Sequence, residues 1–173
     1  AGELTIDNYK DGIKGILKRF PLEGSTHYGK VMSLIRKFYF PESKKNTPNK
    51  SDKPVYVMFL TDGATQDESV TEKEIKESSY EAIFWQFLAI GKSSKGVVPK
   101  KGLAGLFQKI VSAGENEAFT FLENLDNLGG RYIDNANFFS LEDLDSMEES
   151  ELYEKLMAEY PDWMKKSQEM GLL

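Results

Sequence analysis

Six consecutive residues, Val55-Tyr56-Val57-Met58-Phe59-Leu60, are apolar or aromatic with no polar residue between them. Successive side chains of a strand point to opposite faces, so a strand wetted on one face alternates apolar and polar residues. A run without alternation predicts a strand buried on both faces, as in a parallel sheet covered by helices. The run ends at Thr61-Asp62-Gly63. Asp and Gly favour a tight turn, and ligands of open α/β sheets bind beyond the carboxyl ends of strands. This turn is therefore the first candidate site.

The rest of the chain alternates helix and strand signals. Thr5 or Asp7 can cap a first helix bearing Tyr9, Ile13, Ile16, Leu17 and Phe20 on one face, ended by Pro21. Ser25 and Thr26 open a second helix, whose predicted buried face holds Tyr28, Val31, Met32, Ile35, Phe38 and Tyr39. Glu42 to Lys53 reads as a surface loop. Thr71 and Glu74 have capping-box spacing, which predicts a helix from Glu72 to about Ala82. Phe84 to Ile90 is a second buried strand. Helices are expected over Leu103 to Ser112 and Ala118 to Leu128, the latter closed by Gly129-Gly130. Arg131 to Asp134 reads as a third strand, and Ser140 as a cap for Leu141 to Leu144. A late helix carries Leu152, Tyr153, Leu156, Met157 and Tyr160. Pro161 breaks it, and a last helix starts at Trp163 and Met164.

This order predicts an α/β fold with a mainly parallel sheet. Three strands leave a difficulty. If Val55–Leu60 lay at an edge, a long apolar edge would stand unprotected. The strand reads as central, so its neighbour is expected from outside this sequence or from another chain.

Composition narrows the function. The 173 residues suit one domain, and the net charge of -6 argues against a nucleic-acid partner. Lys44 to Lys53 is basic but reads as a solvated loop, and the acidic Glu142 to Glu159 as solvated surface. There is no cysteine, so disulfides and thiolate metal sites are excluded and a reducing compartment, the cytoplasm, is expected. No apolar run approaches the roughly 20 residues that cross a bilayer, so no membrane partner is expected. No signal peptide is visible, and the chain starts at Ala1, as a processed protein or a fragment would.

Asp62 offers carboxylate oxygens and Thr61 and Thr26 offer hydroxyls, which suit a hard divalent cation such as Mg²⁺. His27 has no second imidazole or thiol for a zinc site. No Gly-x-Ser-x-Gly elbow or Gly-x-x-x-x-Gly-Lys-Ser/Thr loop occurs, and Ala64 stands where a phosphate-ester hydrolase would need a second carboxylate two residues from Asp62. An enzyme is not expected.

The run Tyr56 to Gly63 resembles the fourth strand and turn of a von Willebrand factor A (vWA) domain. Asp7-Asn8-Tyr9, Gly24-Ser25-Thr26-His27-Tyr28, Phe84-Trp85-Gln86-Phe87 and Gly130-Arg131-Tyr132-Ile133-Asp134-Asn135-Ala136-Asn137-Phe138-Phe139 follow the vWA domain of TerF-like tellurium-resistance proteins in the same order. The resemblance implies a doubly wound, mainly parallel sheet with helices on both faces. It also implies a metal-ion-dependent adhesion site in which Thr26 and Asp62 hold a divalent cation. The Asp-x-Ser-x-Ser motif of the family's first strand is absent, so the domain reads as N-terminally incomplete. Residues 92–117 depart from the family pattern as an insertion, and 145–173 read as a C-terminal helical extension of the single domain.

Two functions follow as expectations. One is a protein-interaction module of a tellurium-resistance or stress-response system, meeting an acidic group of a partner through the cation. The other is a metal-free protein–protein scaffold.

Overall fold

Residues 25–61, 65–90, 120–141 and 148–173 are described by the computed structural model of the chain. The first predicted helix, the helix over Leu103 to Ser112, the 92–117 insertion and the turn after Ser140 lie outside these residues. So does Asp62.

Helix α1 spans Tyr28–Tyr39, strand β1 Val55–Thr61, helix α2 Glu68–Ser78 and strand β2 Ile83–Ile90. Residues 120–126 are helical. Strand β3 spans Ala136–Leu141, helix α3 Glu149–Leu156 and helix α4 Tyr160–Glu169. The sheet has the order β1-β2-β3 and both pairs are parallel, so α2 is the crossover between β1 and β2. Helices lie on both faces, which gives the α/β class.

One face is covered by α1, α2 and residues 120–126. Tyr28, Met32, Ile75, Phe121, Leu122 and Leu125 pack there on Trp85, Phe87 and Ala89, with Val57 and Phe59. The other face is covered by α4 and the chain end, where Trp163 and Leu172 pack on Ala82, Phe84 and Ile133. Trp163 and Leu172 thus anchor residues 160–173 to the core. Gly29 is required where α1 crosses α2, because a Cβ there would stand 2.7 Å from the Thr71 backbone nitrogen.

Burial on both faces holds for β2, where Ile83 to Ala89 are all buried. β1 differs. It is the edge strand of the described sheet, and Met58 and Leu60 are 52% and 61% exposed. The apolar run was legible, but the neighbour and the cover that would bury it are not among the described residues.

Other boundaries moved for physical reasons. Helix α2 starts at Glu68, because Thr71 donates its hydroxyl to the Asp67 carbonyl from inside the helix (3.0 Å) rather than capping it. Glu74, the other half of the expected capping box, instead accepts from Arg36. Arg131 to Asp134 is not a strand. Arg131 there pairs with the Asp134 carboxylate and donates to the Asp126 carbonyl, both at 2.6 Å. The Tyr132 amide donates to the Ser79 hydroxyl at 2.8 Å. The strand begins only at Ala136. Ser140 and Leu141 belong to it. Pro161 lies in the first turn of α4, where the missing amide costs nothing, and Tyr160 opens that helix instead of closing the one before. Tyr153 of α3 is exposed rather than packed.

Candidate functional site

The C-terminal end of β1 and the N-termini of α1 and α2 form one junction. Helix α1 has four amides without intrahelical partners, as every helix does. Its own cap residue, His27, supplies no side-chain bond. Asp67, from the loop before α2, supplies it. The Asp67 carboxylate accepts from the Lys30 amide at 3.0 Å and the Gly29 amide at 3.3 Å. It also accepts from the Thr65 hydroxyl at 2.6 Å. Burial works against charging Asp67. The Thr65 hydroxyl, the two amides and nearby His27 outweigh it and hold the carboxyl below its ordinary range. The His27 Nδ1 lies 4.0 Å from the Asp67 carboxylate.

Thr65 is the hub of this junction. Its hydroxyl also receives the Tyr28 amide (3.0 Å) and contacts the Thr26 carbonyl (3.2 Å). The Gln66 amide donates to the same carbonyl at 2.9 Å. The Thr26 backbone is thereby fixed while its side chain stays exposed. Tyr28 and Thr61 share a hydroxyl–hydroxyl bond, which ties the first residue of α1 to the last residue of β1. Thr61 is the residue before Asp62. The structure thus brings Thr26 and the end of β1 to the same edge; Asp62 itself lies outside the described residues.

Asp67 and Thr65 were missed from sequence. The signal was available: Thr-x-Asp immediately before a helix is cap chemistry. What was not legible is that this carboxylate caps a helix nearly 40 residues earlier in the chain.

Two other polar clusters are structural. Arg36 of α1 donates to Glu81 (2.8 and 2.9 Å), Glu74 (2.5 Å) and Glu77 (3.2 Å), and the Ser43 hydroxyl donates to Glu81. Burial disfavours the Arg36 charge, but these carboxylates more than compensate and push its pKa up. The second cluster joins residues of two family-like blocks, Phe84 to Phe87 and Gly130 to Phe139. Gln86 and Asn137 face each other across β2 and β3, with Asn137 Nδ2 donating to Gln86 Oε1 at 3.2 Å. Trp85 Nε1 and Asn135 Nδ2 both donate to the Ser78 hydroxyl, at 2.9 and 3.1 Å. These residues are buried and hold the sheet together. Among the described residues, no group of three or more His, Asp or Glu is arranged to hold a metal ion.

A parallel three-stranded sheet between helix layers, with its candidate site at the carboxyl end of β1, defines an α/β domain of vWA-like build. A family model described as vWA found in TerF C terminus matches residues 2–173, and the chain belongs to this vWA-TerF-like family. An uncharacterized protein of Bacillus subtilis (strain 168), YcbR, is 33% identical over 127 residues. The match covers 73% of this chain and 42% of YcbR, so the chain corresponds to less than half of that relative. No solved structure matches. Among the described residues, no helix is long and apolar enough to cross a membrane.

Proposed function

We propose that this chain is a protein-interaction module rather than an enzyme, and that β1, the outer strand of the described sheet, is where a further strand docks. One observation carries the reading. β1 is seven residues long and lies at the edge of the described sheet with Met58 and Leu60 exposed. It contains no Pro, charge or Gly that would blunt pairing. A strand from another segment or chain would extend the described sheet at β1 and cover Met58 and Leu60. The family points to a tellurium-resistance or related stress system in the cytoplasm as the setting.

Within this reading a divalent cation is held by Thr26 and Asp62 and meets an acidic group of the partner. Two side-chain ligands leave most of an octahedral shell to water, so affinity is weak until the partner or a docked strand adds oxygens. The metal-free scaffold has its own support. Asp67, a carboxylate of the same junction, is occupied by two amides and a hydroxyl and has little capacity left for an ion.

Two measurements test these parts separately. A photo-crosslinking amino acid at Leu60 is expected to trap a partner strand in cells, whereas one at exposed Tyr153 is not. Crosslinks of equal yield at both positions, or none at Leu60, would refute edge docking. Calorimetric titration of Mg²⁺ and Mn²⁺ is expected to give heats lost in Thr26→Ala and Asp62→Ala. Heats unchanged in both variants would remove the cation from the reading and leave the scaffold.

A further inference from the structure

Helix α1 turns three large apolar side chains away from the core. Val31, Leu34 and Phe38 are 44%, 66% and 77% exposed. Their spacing of three and four residues puts them in one row along the helix. The sequence alone placed Val31, Phe38 and Tyr39 on the buried side, and the structure leaves all three exposed. Only Tyr28, Gly29 and Met32 of α1 are buried, because the inner surface of α1 is filled by the contact with Phe59 and Phe87 and by the close crossing at Gly29.

A second row runs beside the first. Lys30 and Lys37 are seven residues apart and lie about 40–60° around the helix from Leu34, at 3.6 residues per turn. Both are exposed, and neither ammonium has an ion-pair partner among the described residues. Lys45 and Lys73, by contrast, both face Glu77. The charge of the segment that carries α1 opposes that of the whole chain. Residues 25–53 contain seven Lys or Arg and two Asp or Glu, in a chain of net charge -6.

We infer that the outer face of α1 docks an amphipathic helix of a partner protein, with an apolar ridge laid on Val31, Leu34 and Phe38 and a row of carboxylates along Lys30 and Lys37. The inference rests on the reading of the chain as a protein-interaction module, and it adds a second surface and the partner's chemistry. A helical ridge of i, i+3, i+7 side chains fits between the ridges of another helix. The lysines lie on one side of the row only, so they set the partner's orientation as well as its charge. An anionic membrane is the less suitable occupant. Three side chains bury little area in lipid, and the net negative charge of the protein repels an anionic surface.

The test uses two fluorescent helical peptides of identical apolar row. One carries Glu along one flank and the other carries Lys there. Fluorescence anisotropy is expected to show saturable binding of the Glu peptide, weakened at least tenfold for the Lys peptide. Phe38→Ser with Leu34→Ser is expected to abolish binding. Lys30→Glu with Lys37→Glu is expected to reverse the preference between the peptides. All four positions are exposed, and circular dichroism checks that the variants stay folded. No saturation by the Glu peptide up to about 1 mM (a binding free energy near 4 kcal/mol), equal binding of both peptides, or a preference that survives the charge reversal would each overturn the inference. So would binding of phosphatidylserine vesicles without binding of the Glu peptide. The Leu60 crosslink reads a different surface. Failure here with a positive crosslink there rejects only the α1 site, and failure of both rejects the module reading itself.

Discussion

Arg36→Met gives the sharpest test of how α1 is held. Arg36 bridges α1 to α2 and to the turn before β2, and its guanidinium faces three carboxylates. Glu81 is only 1% exposed, and the Glu74 side chain is 8% exposed. Methionine keeps much of the aliphatic stem and removes the charge. Breaking a buried pair by removing one partner costs about 3–5 kcal/mol, because the remaining charges are left uncompensated. Glu77 is more exposed and rehydrates, so its share is small. The estimate therefore rests on Glu81 and Glu74, and we expect a loss of about 3 kcal/mol at pH 7. Urea unfolding at pH 7, on variant and parent, measures the effect. A loss under about 1 kcal/mol would refute the argument that buried carboxylates depend on Arg36. Adding Glu81→Met to Arg36→Met should recover part of the loss, since one uncompensated charge is then gone.

Three further outcomes are expected. Gly29→Ala should destabilise by about 1–3 kcal/mol in thermal unfolding, since its Cβ would meet backbone and side-chain atoms of Val70 and Thr71 at 2.7–2.8 Å; a neutral effect would mean that α1 and α2 can slide apart. Asp67→Ala should cost about 1–2 kcal/mol and increase hydrogen exchange at Gly29 and Lys30 first; uniform exchange across α1 would contradict capping in trans. Because the Asp67 pKa is lowered on folding, that contribution is present at neutral pH and disappears as pH falls through the folded value. Asp126 behaves in the opposite sense: burial, then Glu159 and Asp134, push its carboxyl up to about 6 against the pull of Arg131. Its contribution is greatest below about pH 4 and is lost as pH rises through 6, so Asp126→Asn should stabilise the fold at pH 7 by about 1 kcal/mol, discounted for its partial exposure, and flatten the profile between pH 4 and 6; an unchanged profile would show that the carboxyl is fully solvated.

The candidate site was legible only in part. Thr26 stood out as a hydroxyl at a helix mouth and, by the family resemblance, as a cation ligand; the structure fixes its backbone carbonyl against Thr65 and Gln66, while Asp62, its expected partner, lies outside the described residues. Asp67 was passed over because its partners, Gly29 and Lys30, are distant in sequence. The same limit explains the misplaced third strand. Arg131 and Tyr132 look like strand formers, yet their hydrogen-bonding groups are engaged by Asp134, Asp126 and Ser79. Local pattern reports propensity; it does not report which distant group takes an amide.

The sequence by itself determined the class of this protein. Unalternating apolar runs at Val55–Leu60 and Phe84–Ile90, separated by a helix-length segment, require parallel strands between helical layers, because only such a sheet buries both faces of a strand. The tertiary structure decided which apolar residues are spent on that core. It buried Trp85, Phe87 and Trp163, and it left Met58, Leu60, Leu34 and Phe38 in solvent. Hydrophobicity says that a side chain gains from leaving water; packing decides whether this chain has a surface to offer it. Where it has none, the uncovered side chains mark the surfaces assigned here to partners.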